Sequence, residues 1–115
     1  MIDYDIKTLL HEAKQRKASD LHITVGVPPK VRVNGILVDM NYPKILPDDA
    51  KQLIEPIIVE PFKTTFEQLG EVDFAYAIPG EGRYRVNVFR QRGSYALVIR
   101  LVNTVIPKPQ DIGLP

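Results

Sequence analysis

From Val72 onward the chain reads as strands: Val72 to Ile78, a Pro79-Gly80-Glu81-Gly82 turn, Arg83 to about Gln91, then Tyr95 to Val102. Strands joined by connections this short must pair antiparallel, because a parallel crossover needs about a dozen residues or more. Tyr95 to Val102 is apolar on both faces apart from Arg100, which predicts a central strand. In the strand that starts at Arg83, side chains alternate, so Tyr84, Val86 and Val88 face the core while Arg83, Arg85 and Asn87 project from the opposite face. Arg90 and Arg92 fall into the core phase, so the strand is expected to end, bulge or run beyond the sheet near Phe89.

The residues before Val72 supply helices and further strands. Residues 3 to 17 predict an amphipathic helix with Ile6, Leu9, Leu10 and Ala13 on one face, acids at its start and Lys14, Arg16 and Lys17 at its end. Asp20 to Val25 alternates as a half-buried strand, closed by Gly26-Val27-Pro28-Pro29. Lys30 to Val38 predicts two short strands about Asn34-Gly35, a pair that tolerates the positive φ of a two-residue hairpin turn. A second helix carries Ala50, Leu53, Ile54, Ile57 and Ile58 at helical spacing, with Pro47, Asp48 and Asp49 in its first turn and Pro56 ending or kinking it. A third starts at Pro61, packs Phe62 and Phe66 inward and stops at Gly70. The class is α+β, an antiparallel sheet with helices packed against it.

A chain of 115 residues fits one domain with one core. Hydrophobic residues at 44% and charged residues at 25% argue against disordered and coiled-coil classes. The absence of cysteine excludes disulfides, thiolate metal sites and cysteine nucleophiles. No apolar run approaches the roughly 20 residues of a membrane helix, and the acidic start Met1-Ile2-Asp3-Tyr4-Asp5 is unlike a signal peptide. The net charge of +1 hides an asymmetry: Arg83, Arg85, Arg90, Arg92 and Arg100 lie in a segment without a single acid. A local patch of this kind suits a defined phosphate site or partner contact better than a general nucleic-acid coat.

Other chemistry is poorly represented. No Gly-Lys pair occurs, so there is no Walker A loop, and Gly80-Glu81-Gly82 is sufficiently explained as a turn. His11 and His22 have no i,i+4 partner or ligand cluster, and the pairs Asp3/Asp5 and Asp48/Asp49 are accounted for as first-turn helix residues. Arginine's planar fork, always charged, pairs two-pronged with carboxylate or phosphate. Composition alone favours the plainer outcome, in which these arginines pair with Glu71, Asp73 and Glu81 across the hairpin.

Several short motifs match a known family in order and spacing. Ser19-Asp20-Leu21-His22-Ile23, Gly26-Val27-Pro28-Pro29, Arg32-Val33-Asn34-Gly35, Asp73-Phe74, the run Arg83 to Gly93, and Val98-Ile99-Arg100 together resemble the amino-terminal domain of the PilT-type motor ATPases of bacterial type IV pili. The match spans about residues 3 to 114. Related assembly ATPases usually follow the Ser-Asp-x-His motif with Glu-Pro and carry Arg-x-Asp-Gly at the hairpin, whereas this chain has Thr24-Val25 and Val33-Asn34-Gly35, which favours the retraction branch.

The resemblance implies a PAS-like domain over residues 1–102 and an interdomain linker over 103–115 leading to a RecA-like ATPase domain that the chain does not contain. It implies a cytoplasmic homohexamer, placed at the inner face of the cell membrane through the pilus machine and its inner-membrane platform protein. No nucleic-acid contact and no membrane insertion are expected. ATP and Mg would be bound by the full-length parent, with Arg83, Arg85, Arg92 and Arg100 offered to the phosphates as the domain moves against the RecA-like domain. Arg90 sits where the family pattern varies. Without Walker A and B motifs the chain alone is expected to be inactive, an excised domain or a fragment. The alternatives left open are a PAS-like small-ligand sensor, the corresponding domain of an assembly or type II secretion ATPase, and a single-strand nucleic-acid binder.

Overall fold

A computed structural model describes residues 2–102 of the chain, so the expected linker at 103–115 lies outside the described residues. The element order is α1 (Ile6–Gln15), β1 (Asp20–Ile23), β2 (Lys30–Val33), β3 (Ile36–Asp39), α2 (Pro47–Ile54), a 3-10 turn (Glu55–Ile57), α3 (Phe62–Leu69), β4 (Glu71–Ile78), β5 (Gly82–Gln91) and β6 (Ser94–Val102). The six strands form one antiparallel sheet in the order β3-β2-β1-β6-β5-β4. The α+β expectation is met, and β6 is central as its two apolar faces require.

Helices cover one face. Ile6, Leu9, Leu10 and Ala13 of α1, Ala50, Leu53 and Ile54 of α2 and Phe66 of α3 pack with Leu21, Ile23, Val31, Phe74, Val86, Val88, Leu97 and Ile99 from the sheet into one core. Tyr84, Val86 and Val88 point into that core, as alternation requires, and Arg83 and Arg85 stay exposed on the other face.

Local chemistry sets the boundaries. α1 starts at Ile6 rather than residue 3 because the Asp5 carboxylate accepts the Thr8 N–H at 2.9 Å, capping the helix there. At the other end Lys17 takes a positive φ of 59° and stops it. Pro47 occupies the first turn of α2, where Asp49 reaches back to accept the Leu46 N–H at 3.0 Å, and Pro56 lies in the 3-10 turn that ends it. β1 is shorter than expected: Val25 leaves the β1 ladder and bridges Ile45 in parallel. Asn34 and Gly35 both take positive φ, 53° and 79°, as a tight β2–β3 hairpin requires.

Near Phe89 the strand runs past its neighbour and ends, as expected: β4 pairs no further than Glu71 opposite Phe89, and β5 closes at Gln91. No bulge forms, and β5 stays in register through Phe89 opposite Ala96, Arg90 opposite Tyr95 and Gln91 opposite Ser94. Arg90 tolerates the core phase because its guanidinium lies over the Phe66 ring at 4.8 Å and the Tyr95 ring at 5.6 Å, capping the core's edge. Arg92 is not a strand residue: with Gly93 it makes the β5–β6 turn, at φ of 53° and 80°.

Candidate functional site: the open face of the sheet

The face away from the helices carries Arg32, Arg83, Arg85 and Arg100, and strand register decides which of them meet. Arg85 on β5 lies directly opposite Arg100 on β6, Arg100 is opposite Asp20 on β1, and Asp20 is opposite Arg32 on β2. Four charged side chains from four strands thus make one row across the sheet. Arg83 lies two residues along β5 on the same face, opposite Val102. Arg92, at the far turn, is about 20 Å along the strand from Arg85 and does not join the row.

Asp20 is the row's only acid. Its side chain is 14% exposed, and its Oδ2 accepts from Arg32 Nε at 3.1 Å and from Ser19 Oγ at 3.2 Å. Its Oδ1 lies 3.7 Å from Arg100 Nε. Arg32 also donates from Nη1 to the Gly35 carbonyl at 3.1 Å, so that guanidinium is held at both ends. Among the described residues Arg100 has a single long ion-pair contact, and it is 76% exposed.

The plainer reading of the arginines does not hold here. Asn87, not an arginine, donates to Asp73 at 2.7 Å and to Glu71 at 3.3 Å. Glu81 turns to α1, where its carboxylate meets His11 Nδ1 at 3.0 Å and its carbonyl accepts from Lys14 Nζ at 2.6 Å. Among the described residues Arg83, Arg85, Arg90 and Arg92 make no ion pair. Two like charges directly opposite across a ladder are destabilising. Arg85 and Arg100 are such a pair, and an anion between them would convert the repulsion into two charge-assisted contacts.

His22 lies on the same face, opposite Val98 and Lys30. Burial pushes its imidazole below the ordinary 6.5, with Asp20 opposing the shift and Arg32 adding to it. His11 is an exposed partner of Glu81. Among the described residues no group of three His, Cys, Asp or Glu side chains could hold a metal ion. Asp5 and Asp49 are both engaged in helix capping. No described helix is long and apolar enough to cross a membrane.

A groove of about 910 Å³ opens at one end of the sheet, between the end of α1 and the β4–β5 turn, with Lys14, Ile78, Arg83, Tyr84 and Leu101 on its walls. Its walls include Ala18 and Tyr84 of the core as well as the end of α1, and Val102, the last described residue, borders it.

Sequence reasoning missed Asp20 and Arg32 as members of the site. Both sit inside motifs visible in the sequence, yet only the insertion of β1 between β2 and β6 brings them beside Arg100.

No protein-family model matches the chain. It is 33% identical over 110 residues to the type IV pilus retraction ATPase PilT of Pseudomonas aeruginosa, covering 96% of this chain and 32% of that protein. It is 32% identical over 111 residues to the type IV pilus ATPase PilU of the same organism, covering 96% of this chain and 29% of the relative. Among solved structures, that of the pilus retraction motor PilT with bound ADP superposes with a TM-score of 0.83 at 37% identity, over 98% of this chain and 33% of that one. The chain therefore spans about a third of the length of these relatives. Matched almost end to end in both sequence and fold, it is homologous to one domain of the PilT-type pilus retraction ATPases.

Proposed function

We propose that the chain is the amino-terminal, nucleotide-contacting domain of a pilus-retraction motor, in which arginines of the open sheet face meet the phosphates of ATP. The observation that carries this reading is the Arg85–Arg100 pair, opposed across β5 and β6 with one long contact to a carboxylate between them. A sheet tolerates such a pair at some cost in stability, and phosphate chemistry supplies a reason for it. Arg83, on the same face and at the groove, is the third contact. Arg92 reaches phosphate only from a different direction, as its position at the β5–β6 turn requires.

In the parent, residues 1–102 would form the domain and 103–115 the linker to a RecA-like domain carrying the P-loop. ATP and Mg would be held there, supplying the phosphoryl-transfer chemistry. Arginines presented to the transferring phosphoryl group stabilise its developing charge, and their release after hydrolysis lets the domain move against its neighbour. Assembly as a homohexamer on the cytoplasmic side, acting on the pilus inner-membrane platform protein to drive twitching motility, completes the reading. The names of two relatives, a type IV pilus retraction ATPase and a type IV pilus ATPase, support the pilus-motor part of it.

The test is ATP hydrolysis and ring formation by the chain extended through its natural continuation, with Arg83, Arg85, Arg92 and Arg100 each changed to alanine. Turnover is expected to collapse for Arg85→Ala and Arg100→Ala with folding intact; undiminished turnover in both would overturn the assignment. The groove of about 910 Å³ favours a second reading, a small-ligand sensor, since it exceeds the roughly 300 Å³ at which ligand sites begin. A ligand seated there would bind equally well to the Arg85→Ala and Arg100→Ala chains.

A further inference from the structure

We propose that Asp20 is a built-in competitor for the phosphate: Arg100 has two seats, one on Asp20 and one on the anion, and moves between them. The inference rests on the reading of Arg85 and Arg100 as a phosphate seat. Its basis is the unequal grip of Asp20 on its two arginines.

Arg32 meets Asp20 at hydrogen-bond distance, 3.1 Å, and its Nη1 is tied to the Gly35 carbonyl. Arg100 stands at 3.7 Å, outside the 2.7–3.2 Å range of a good N–H···O bond, so charge attracts it but no hydrogen bond locks it. Ser19 and Arg32 both hold Oδ2, which leaves Oδ1 to Arg100. The carboxylate is thus fixed and mostly buried, whereas the Arg100 side chain is 76% exposed. On its other side Arg100 faces Arg85, which repels it.

The consequence is a poised cation. With no anion bound, Arg100 leans on Asp20 and away from Arg85. A phosphate between the two arginines removes their repulsion and draws Arg100 off the carboxylate. When the anion leaves, Asp20 takes Arg100 back. Asp20 therefore weakens phosphate binding and resets the arginine, a useful property where an anion must be released every cycle.

Inorganic tripolyphosphate titrated into the 115-residue chain, followed by NMR of the Arg85 and Arg100 side-chain Nε–H groups, tests this. At about 0.1 M salt, Asp20→Asn is expected to bind about threefold tighter or more than the unsubstituted chain, because one carboxylate facing the anion is gone. The Arg100 Nε–H resonance should already be displaced in the free Asp20→Asn chain. Asp39→Asn is the control. It makes the same charge change on the same face, but β3 is three strands from β6, about 14 Å away and beyond the screening length. Its affinity should stay that of the unsubstituted chain.

Equal gains in the two variants would mean bulk charge and would overturn the role of Asp20, as would unchanged or weaker binding by Asp20→Asn. Binding that Arg85→Ala does not weaken, or no binding by any chain, would remove the phosphate seat itself and the inference with it. A thermal melt confirms that Asp20→Asn is folded. Should it not be, Asp20→Ser removes the charge while keeping a hydroxyl near Arg32, and the same outcomes apply.

Discussion

Replacing Arg85 by glutamine should make the isolated domain more stable. Arg85 is exposed, has no ion-pair partner among the described residues, and stands opposite Arg100 on the neighbouring strand. Two guanidinium charges on opposed strand positions lie about 7 Å apart once they splay, and in water that separation costs about 0.6 kcal/mol. Asp20 offsets part of the charge on Arg100, so a gain of about 0.3–0.6 kcal/mol is expected for Arg85→Gln, which keeps much of the aliphatic stem. For a domain of this size that is a rise in melting temperature of roughly 1–3 °C. Thermal unfolding followed by circular dichroism at about 10 mM salt, where the Debye length is about 30 Å, should show the full gain. At 1 M salt, with screening over about 3 Å, the two chains should melt together. A lower melting temperature for Arg85→Gln at low salt would refute the reasoning, because it would mean that Arg85 holds the fold together and that its charge is not held in reserve for a ligand.

Val86 is 2% exposed in the middle of β5, so Val86→Asp places an unpaired charge in the core and should abolish the cooperative melt; an unchanged transition would contradict the strand phase. Asp5→Ala removes the α1 cap and should cost about 1 kcal/mol in urea unfolding. The Thr8 N–H, above all, holds the Asp5 carboxyl below its ordinary 3.8, so the stabilisation is present above that pH and is lost as pH falls through the lower folded value; Asp5→Ala should therefore show a shallower acid loss. Burial lowers the His22 pKa below 6.5, so the unfolded chain takes up the proton first as pH falls. Stability should be greatest above about pH 6.5 and decline below it, the decline should be smaller in His22→Gln, and the His22 ring resonances should titrate below the ordinary 6.5.

Much of the local structure was legible because it depends on short-range rules. Alternation assigned Tyr84, Val86 and Val88 to the core and Arg83 and Arg85 to the other face; Asn34-Gly35 marked a hairpin, Pro56 a helix end and Gly70 the stop of α3. Each assignment needs only neighbours in the chain: the pleat, a positive φ, a missing N–H. The misreadings also have local causes. The amphipathic pattern extended α1 back to residue 3, where the Asp5 side chain instead caps the Thr8 N–H, and alternation put Arg90 in the core phase without showing that contact with Phe66 accommodates it there.

The site itself depends on distant parts of the chain. Residue order shows Arg83 and Arg85 side by side, but β1 pairs with β6 across nearly the whole described chain, and that pairing puts Asp20 next to Arg100. Periodicity states which face a side chain takes and is silent on which strand lies alongside, because strand order is chosen by the combined burial of Leu21, Ile23, Leu97 and Ile99 against the helices. The same pairing separates Arg92 from the row and leaves Arg85 facing Arg100. Sequence alone thus established the class of fold and the buried face of each strand, and carried the resemblance to PilT-type ATPases; folding of distant segments onto one core selected, from five neighbouring arginines, the two that oppose each other and the acid that stands beside them.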